Sequence, residues 1–151
     1  MTVSTEVLLI EDDPADAELM FTALRQVLES TRIARARDGA EALDFLACRG
    51  AYAYRVSHPA PRLILLDLKL PRLDGIEVLK HIKANPATLA IPVVVLTSSS
   101  EESDLIRSYQ LGANGYVQKP MSIEGFRTLV QELGKFWLNV MQPGRNFDVR
   151  P

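Results

Sequence analysis

Short apolar runs recur along this chain, and several end on a polar residue with chemistry to offer. Val7–Ile10 runs into Glu11 and Asp12, Leu63–Leu66 into Asp67, Pro92–Leu96 into Thr97, and Gly115–Gln118 into Lys119 and Pro120. Helix-like stretches separate these runs. Strand and helix alternating five times is the pattern of a parallel sheet with crossover helices. The carboxyl ends of parallel strands share one edge, and open α/β sheets bind ligands there. The pattern therefore predicts carboxylates, a hydroxyl and an ammonium gathered at one place.

The elements follow from local chemistry. Strands are expected over residues 7–10, 31–36, 63–66, 90–96 and 114–118. Arg32 and Arg35 interrupt the apolar character of the second. Asp13 is expected to cap the first helix, with Pro14 at its first position and Asp16 and Glu18 favouring its positive end. Asp38-Gly39 opens a second helix over 40–49, Asp74-Gly75 a third, and Ser122 caps the last. Overlapping Ser-x-x-Glu frames from Ser98 and Ser99 predict a capping box for the fourth, which stops near Gly112. The apolar stripe of the last helix runs from Phe126 through Phe136 and Trp137 to Val140, with Pro143-Gly144 to end it. Residues 50–61 show no period and read as a long loop.

The 151 residues suit one domain with a real core, expected over 5–141 with 142–151 as a polar tail. A net charge of −2 argues against a nucleic-acid surface. No apolar run is long enough to span a bilayer, and the first residues do not read as a signal peptide. With Cys48 as the single cysteine there is no internal disulfide or cysteine-rich metal site, which suits a reducing cytoplasm. Cys48 itself reads as a small helix residue.

Glu11, Asp12 and Asp67 offer hard oxygens of the kind Mg²⁺ takes. Lys119 offers a compact positive charge and Thr97 a hydroxyl for phosphoryl oxygens. That set points to an acyl phosphate on Asp67. Acyl-transfer chemistry is not supported, because no His is set with a Ser or Cys for acyl transfer, and there is no Gly-rich phosphate loop.

Residues 7–14, 65–71, 95–98 and 116–120 carry a resemblance to the receiver domains of two-component response regulators. Asp67 to Thr97 spans 30 residues and Thr97 to Lys119 spans 22, as in that family. The resemblance covers about residues 5–140 and implies a flavodoxin-like (βα)₅ fold. It also implies phosphorylation of Asp67 by a sensor histidine kinase. Mg²⁺ would be held by Glu11, Asp12, Asp67 and the backbone carbonyl of Lys69, with a cis bond before Pro120. Tyr116 falls where the family has a switch aromatic that follows Thr97. Positions 69 and 99, which tune dephosphorylation in the family, are Lys and Ser, so slow self-dephosphorylation is expected. The Asp-Pro-Ala-Asp-Ala-Glu start of the first helix, the 50–61 segment and the aromatic end of the last helix look like regulators partnered with bacterial-type phytochromes. That likeness implies a phytochrome kinase as donor and a homodimer.

The resemblance implies signalling by protein contact to a downstream protein, rather than enzyme turnover. Only about ten residues follow the last helix, so no DNA-binding output is expected. A phosphohydrolase would show Asp-x-Asp, and position 69 is Lys. A degenerate receiver serving as a docking module is the alternative, and the intact Asp67, Thr97 and Lys119 weigh against it. Ser98 reads equally as a phosphoryl contact or a helix cap. His58 and His81 read as ordinary surface residues. Phe136 and Trp137 point about 100° apart, so one is expected outside the buried stripe, where it would suit an interface.

Overall fold

The structure, a computed structural model, describes residues 4–29 and 32–140. The tail from 142, the stop at Pro143-Gly144 and the strand start at Thr31 lie outside the described residues. Five parallel strands form one sheet in the order β2-β1-β3-β4-β5: β1 Val7–Ile10, β2 Ile33–Ala36, β3 Leu63–Leu66, β4 Val93–Thr97 and β5 Gly115–Gln118. The helices are α1 Pro14–Leu24, α2 Gly39–Ala47, α3 Gly75–Ala84, α4 Glu102–Gln110 and α5 Ile123–Lys135. This is the flavodoxin-like doubly wound arrangement, whose strand order reverses at β1/β3.

Alternation along the strands builds two cores. Val7, Leu9, Leu63, Leu65, Val94 and Leu96 pack with Met20 and Leu24 of α1 and Phe126 and Val130 of α5. Leu8, Ile10, Ile64, Leu66, Val93 and Val95 pack with Phe45 of α2 and Val78, Leu79 and Ile82 of α3. Central strands covered on both faces have no polar positions to spare, which is why β1, β3 and β4 read as unbroken apolar runs.

Four expectations need correction. The 50–61 segment is not all loop, because Gly50–Ser57 forms a 3₁₀-helix. Its order comes from side chains that keep no helical period. Tyr52 meets Phe45 edge-on at 5.0 Å and donates to Glu41 Oε2 at 2.5 Å. The buried Arg55 lies over the Phe45 ring, 3.6 Å from its centroid, and donates to the Phe45 carbonyl.

Cys48 is not within α2 but just past its end, in a left-handed conformation (φ 57°). The strand expected over 90–96 begins at Val93 and includes Thr97. The Leu89 and Ile91 carbonyls instead accept from Lys83 Nζ, and Pro92 has no amide proton for a ladder. The predicted capping box of α4 does not form. Its N-cap, Glu101, makes no side-chain cap bond, and Ser99 Oγ donates to Asp104 Oδ2 at 2.6 Å.

The Asp13, Asp38, Asp74 and Ser122 caps are all seen. The last helix widens into a π turn over Phe136–Val140. That turn buries Leu138, half-buries Trp137 against the α1/α5 core and leaves Phe136 exposed.

Candidate functional site

The backbone positions the site before any side chain does. Beyond the strand ends, the Asp67 amide donates to the Ile10 carbonyl (3.0 Å), the Glu11 amide to Ala36 (3.1 Å) and the Lys119 amide to Thr97 (2.7 Å). The ladder therefore carries on by one residue and lines up Glu11, Asp67, Thr97 and Lys119 along one edge of the sheet. Glu11, Asp67 and Thr97 are buried.

Lys119 is the hub. Its Nζ lies 2.8 Å from Glu11 Oε1, 2.8 Å from Asp16 Oδ2 and 3.0 Å from Asp67 Oδ2. An ammonium has three protons to donate, and here each meets a carboxylate. Burial alone would lower the pKa of Lys119, but the bonds to Asp16 and Glu11 outweigh it and raise it above the usual lysine range. Glu11 moves up to about 7, chiefly by burial, which the bond from Lys119 only partly offsets and to which Asp67 adds repulsion. With three carboxylates around one ammonium, a proton on Glu11 relieves the excess charge.

Glu11, Asp12 and Asp67 can each present one oxygen within 4.8 Å of the others. Two of the three are buried and Asp12 is exposed. A set of hard oxygens carrying uncompensated negative charge, with an open side at Asp12, fits a divalent cation that keeps part of its water shell. Asp13 does not join them, since its Oδ1 accepts from the Ala15 amide as a helix cap. Arg35 braces the acidic loop from below, its Nε donating to the Glu11 carbonyl (3.0 Å) and its Nη2 to the Asp12 carbonyl (3.1 Å). The charge that interrupts β2 in the sequence thus belongs to the site's support. The exposed Lys69 donates its amide to Asp67 Oδ1 at 3.1 Å, which sets the orientation of that carboxylate.

On the other side, the Thr97 hydroxyl accepts from the Ser99 amide at 3.3 Å. The Ser99 carbonyl accepts from the Tyr116 hydroxyl at 3.3 Å, and its side chain is held by Asp104 of α4. Thr97, Tyr116 and α4 are therefore joined through one buried serine. Ser98 is exposed and faces a cavity of about 270 Å³ that Asp16, Lys119, Pro120 and Phe126 also line. It does not cap α4.

No peptide bond among the described residues is cis, so the expected cis bond before Pro120 is corrected to trans, the lower-energy form for an X-Pro bond in the absence of other constraints. His81 is exposed, and the His58 ring meets Tyr54 edge-on.

Sequence reasoning missed Asp16. Read as a dipole-favouring acid in the first turn of α1, it reaches Lys119 across 103 positions. Its signal was its place three residues after the Asp13 cap, one helical turn on, where a side chain faces back toward the β1 end.

The family model described as the response regulator receiver domain matches residues 7–131. The chain is 42% identical over 135 residues to the response regulator Rcp1 of Synechocystis, covering 89% of this chain and 90% of that protein. It is also 42% identical to the probable methanogenesis regulatory protein FilR2 of Methanothrix harundinacea, covering 87% and 83%. Among solved structures, the phosphorylated cyanobacterial phytochrome response regulator RcpA superposes with a TM-score of 0.86 at 38% identity, over 94% of this chain and 99% of that one. The Mn²⁺-bound form of Rcp1 gives 0.84 at 41% identity, over 92% and 98%.

Proposed function

This chain belongs to the response regulator receiver domains, and from that premise we propose that Asp67 is its phosphoacceptor, with Mg²⁺ held by Glu11, Asp12, Asp67 and the Lys69 backbone carbonyl. The observation that carries the reading is the Lys119 ammonium seated 3.0 Å from a buried Asp67 carboxylate at a sheet edge that also carries Thr97. An Asp67 oxygen attacks the phosphorus of a phosphohistidine. The P–O bond forms as the P–N bond breaks, and the electron pair leaves with the imidazole. Lys119 and the Thr97 hydroxyl take two of the phosphoryl oxygens, so that charge spread over that group meets fixed donors. The bound cation supplies the screening that lets a carboxylate approach a phosphoryl anion.

The donor is a sensor histidine kinase, and we assign it to the phytochrome class. The fit to a phytochrome response regulator over nearly the whole chain supports that assignment. The output is a conformational switch read by a downstream protein. When Thr97 turns toward the phosphoryl group, it lets go of the Ser99 amide, and the bond from Tyr116 to the same residue responds. The protein works in the cytoplasm, where a lone Cys48 stays reduced. It works as a homodimer, for which the exposed Ile106, Tyr109, Ile123 and Phe136 offer apolar surface.

Incubation with acetyl phosphate and Mg²⁺, read by intact mass, tests the site. Wild type should gain one phosphoryl mass, and Asp67→Asn should gain none. An unmodified wild type would favour the docking-module alternative.

A further inference from the structure

Lys119 has no spare proton. Two of its carboxylate partners, Glu11 and Asp67, belong to the cluster able to hold a cation, and the third, Asp16, does not. Asp16 comes from α1 and approaches the ammonium from the side of the 270 Å³ cavity at the β5–α5 turn. Its bond is as short as that of Glu11. When a cation engages Glu11 and Asp67, those oxygens share their charge with the metal, and their hold on Lys119 weakens. Asp16 keeps its full charge. It is then the chief rival of an incoming phosphoryl oxygen for the same ammonium, and it adds a negative charge to the face a phosphoryl anion approaches.

We propose that Asp16 is a positioning residue that restrains phosphoryl acceptance by holding Lys119 toward α1. The phosphoryl group must draw the ammonium from Asp16 before Lys119 stabilises it, so Asp16 sets how strongly a phosphodonor is engaged. Removing its charge frees Lys119 and lowers the local repulsion, and both effects act in the same direction. Glu11 and Asp67 still anchor the ammonium in such a variant, so the lysine keeps its place. The inference rests on Asp67 being the phosphoacceptor.

The test is a titration of acetyl phosphate at saturating Mg²⁺ with labelling followed by intact mass, for wild type, Asp16→Asn and Asp16→Glu, with thermal melts to confirm folding. Asp16→Asn should label about three- to tenfold faster at low donor, as expected for loss of one competing charge-assisted bond. Its maximal rate at saturating donor should stay near that of wild type, and the advantage should shrink at high salt. Asp16→Glu should restore the wild-type donor dependence. A merely structural Asp16 would lower the maximal rate and the melting temperature, with no salt-dependent gain at low donor. Equal or slower labelling of Asp16→Asn at low donor overturns the restraint while leaving Asp67 as acceptor. Absence of labelling in all three proteins removes the acceptor reading and this inference together.

Discussion

Glu11 is 1% exposed, and that burial, with a smaller contribution from Asp67 repulsion, is why its pKa stands at about 7 against the ordinary 4.5 despite the bond from Lys119. In the unfolded chain it titrates at the ordinary value, so between about pH 4.5 and 7 the native state holds a proton the unfolded state has lost. Its contribution is fully present below that window and is lost as pH rises through it, a decline of up to about 3 kcal/mol for this group. Thermal melts in chelator should therefore show stability falling across that range, and Glu11→Gln should flatten the slope. Identical slopes for the two proteins would contradict the account. A second expectation concerns phosphoryl lifetime. Ser99 commits its hydroxyl to Asp104, and Lys69 presents an exposed ammonium, so neither side chain orients a water for attack on the phosphoryl group. Once the donor is removed, the label should persist for far longer than seconds at neutral pH, and decay within seconds would refute this. Asp67, Thr97, Lys119 and Glu11 were legible in the sequence because each directly follows an apolar run, and a parallel sheet brings such positions together. Arg35 was not, and Asp16 left only its place one turn after the Asp13 cap as a signal, because the partners of both are fixed by how α1 and β2 lie against β1 and β5.

At the scale of elements, α3 starts hard against the loop that follows β3. The Gly75 amide donates to the Leu68 carbonyl at 2.8 Å, and a Cβ on Gly75 would collide with the Asp67 carbonyl oxygen and the Leu68 backbone. Gly75→Ala should destabilise the fold by about 1–3 kcal/mol, the usual range for overpacking, and slow phosphoryl labelling by moving Asp67. Gly115→Ala is the control, since its Cβ would meet Val94 at an ordinary 3.5 Å. Equal melting temperatures for the two variants would show that the close approach at Gly75 carries no weight. The apolar period and the capping residues located the five strands and five α-helices to within a few residues. The 3₁₀-helix at Gly50–Ser57 escaped because Arg55 and Tyr52 anchor it through polar tips and ring faces, and a hydrophobic period does not record those. The π turn after Lys135 escaped for a related reason. It changes residues per turn midway, so a stripe counted at a constant period runs through Phe136 and Trp137 and passes over Leu138, which is the buried residue.

For the whole molecule, the sheet buries nearly all of β1, β3 and β4, so the proposed switch is expected to be read at the surface around α4, β5 and α5, where Tyr116 meets Ser99. Ile106, Tyr109, Ile123 and Phe136 leave large apolar area there exposed. In the proposed homodimer, Phe136→Arg should leave the stability within about 0.5 kcal/mol of wild type, as for most surface changes, while shifting light scattering from dimer toward monomer. A dimer that survives the substitution would place the interface elsewhere. The central claim is that one buried carboxylate at the sheet edge carries the phosphoryl group, and chemical trapping tests it most directly. Borohydride reduces an aspartyl phosphate to homoserine, so protein labelled in Mg²⁺, reduced and digested should show that conversion in the Leu63–Lys69 peptide, at Asp67 and nowhere else. Conversion at another residue, or none in protein whose intact mass shows the phosphoryl group, would contradict the account.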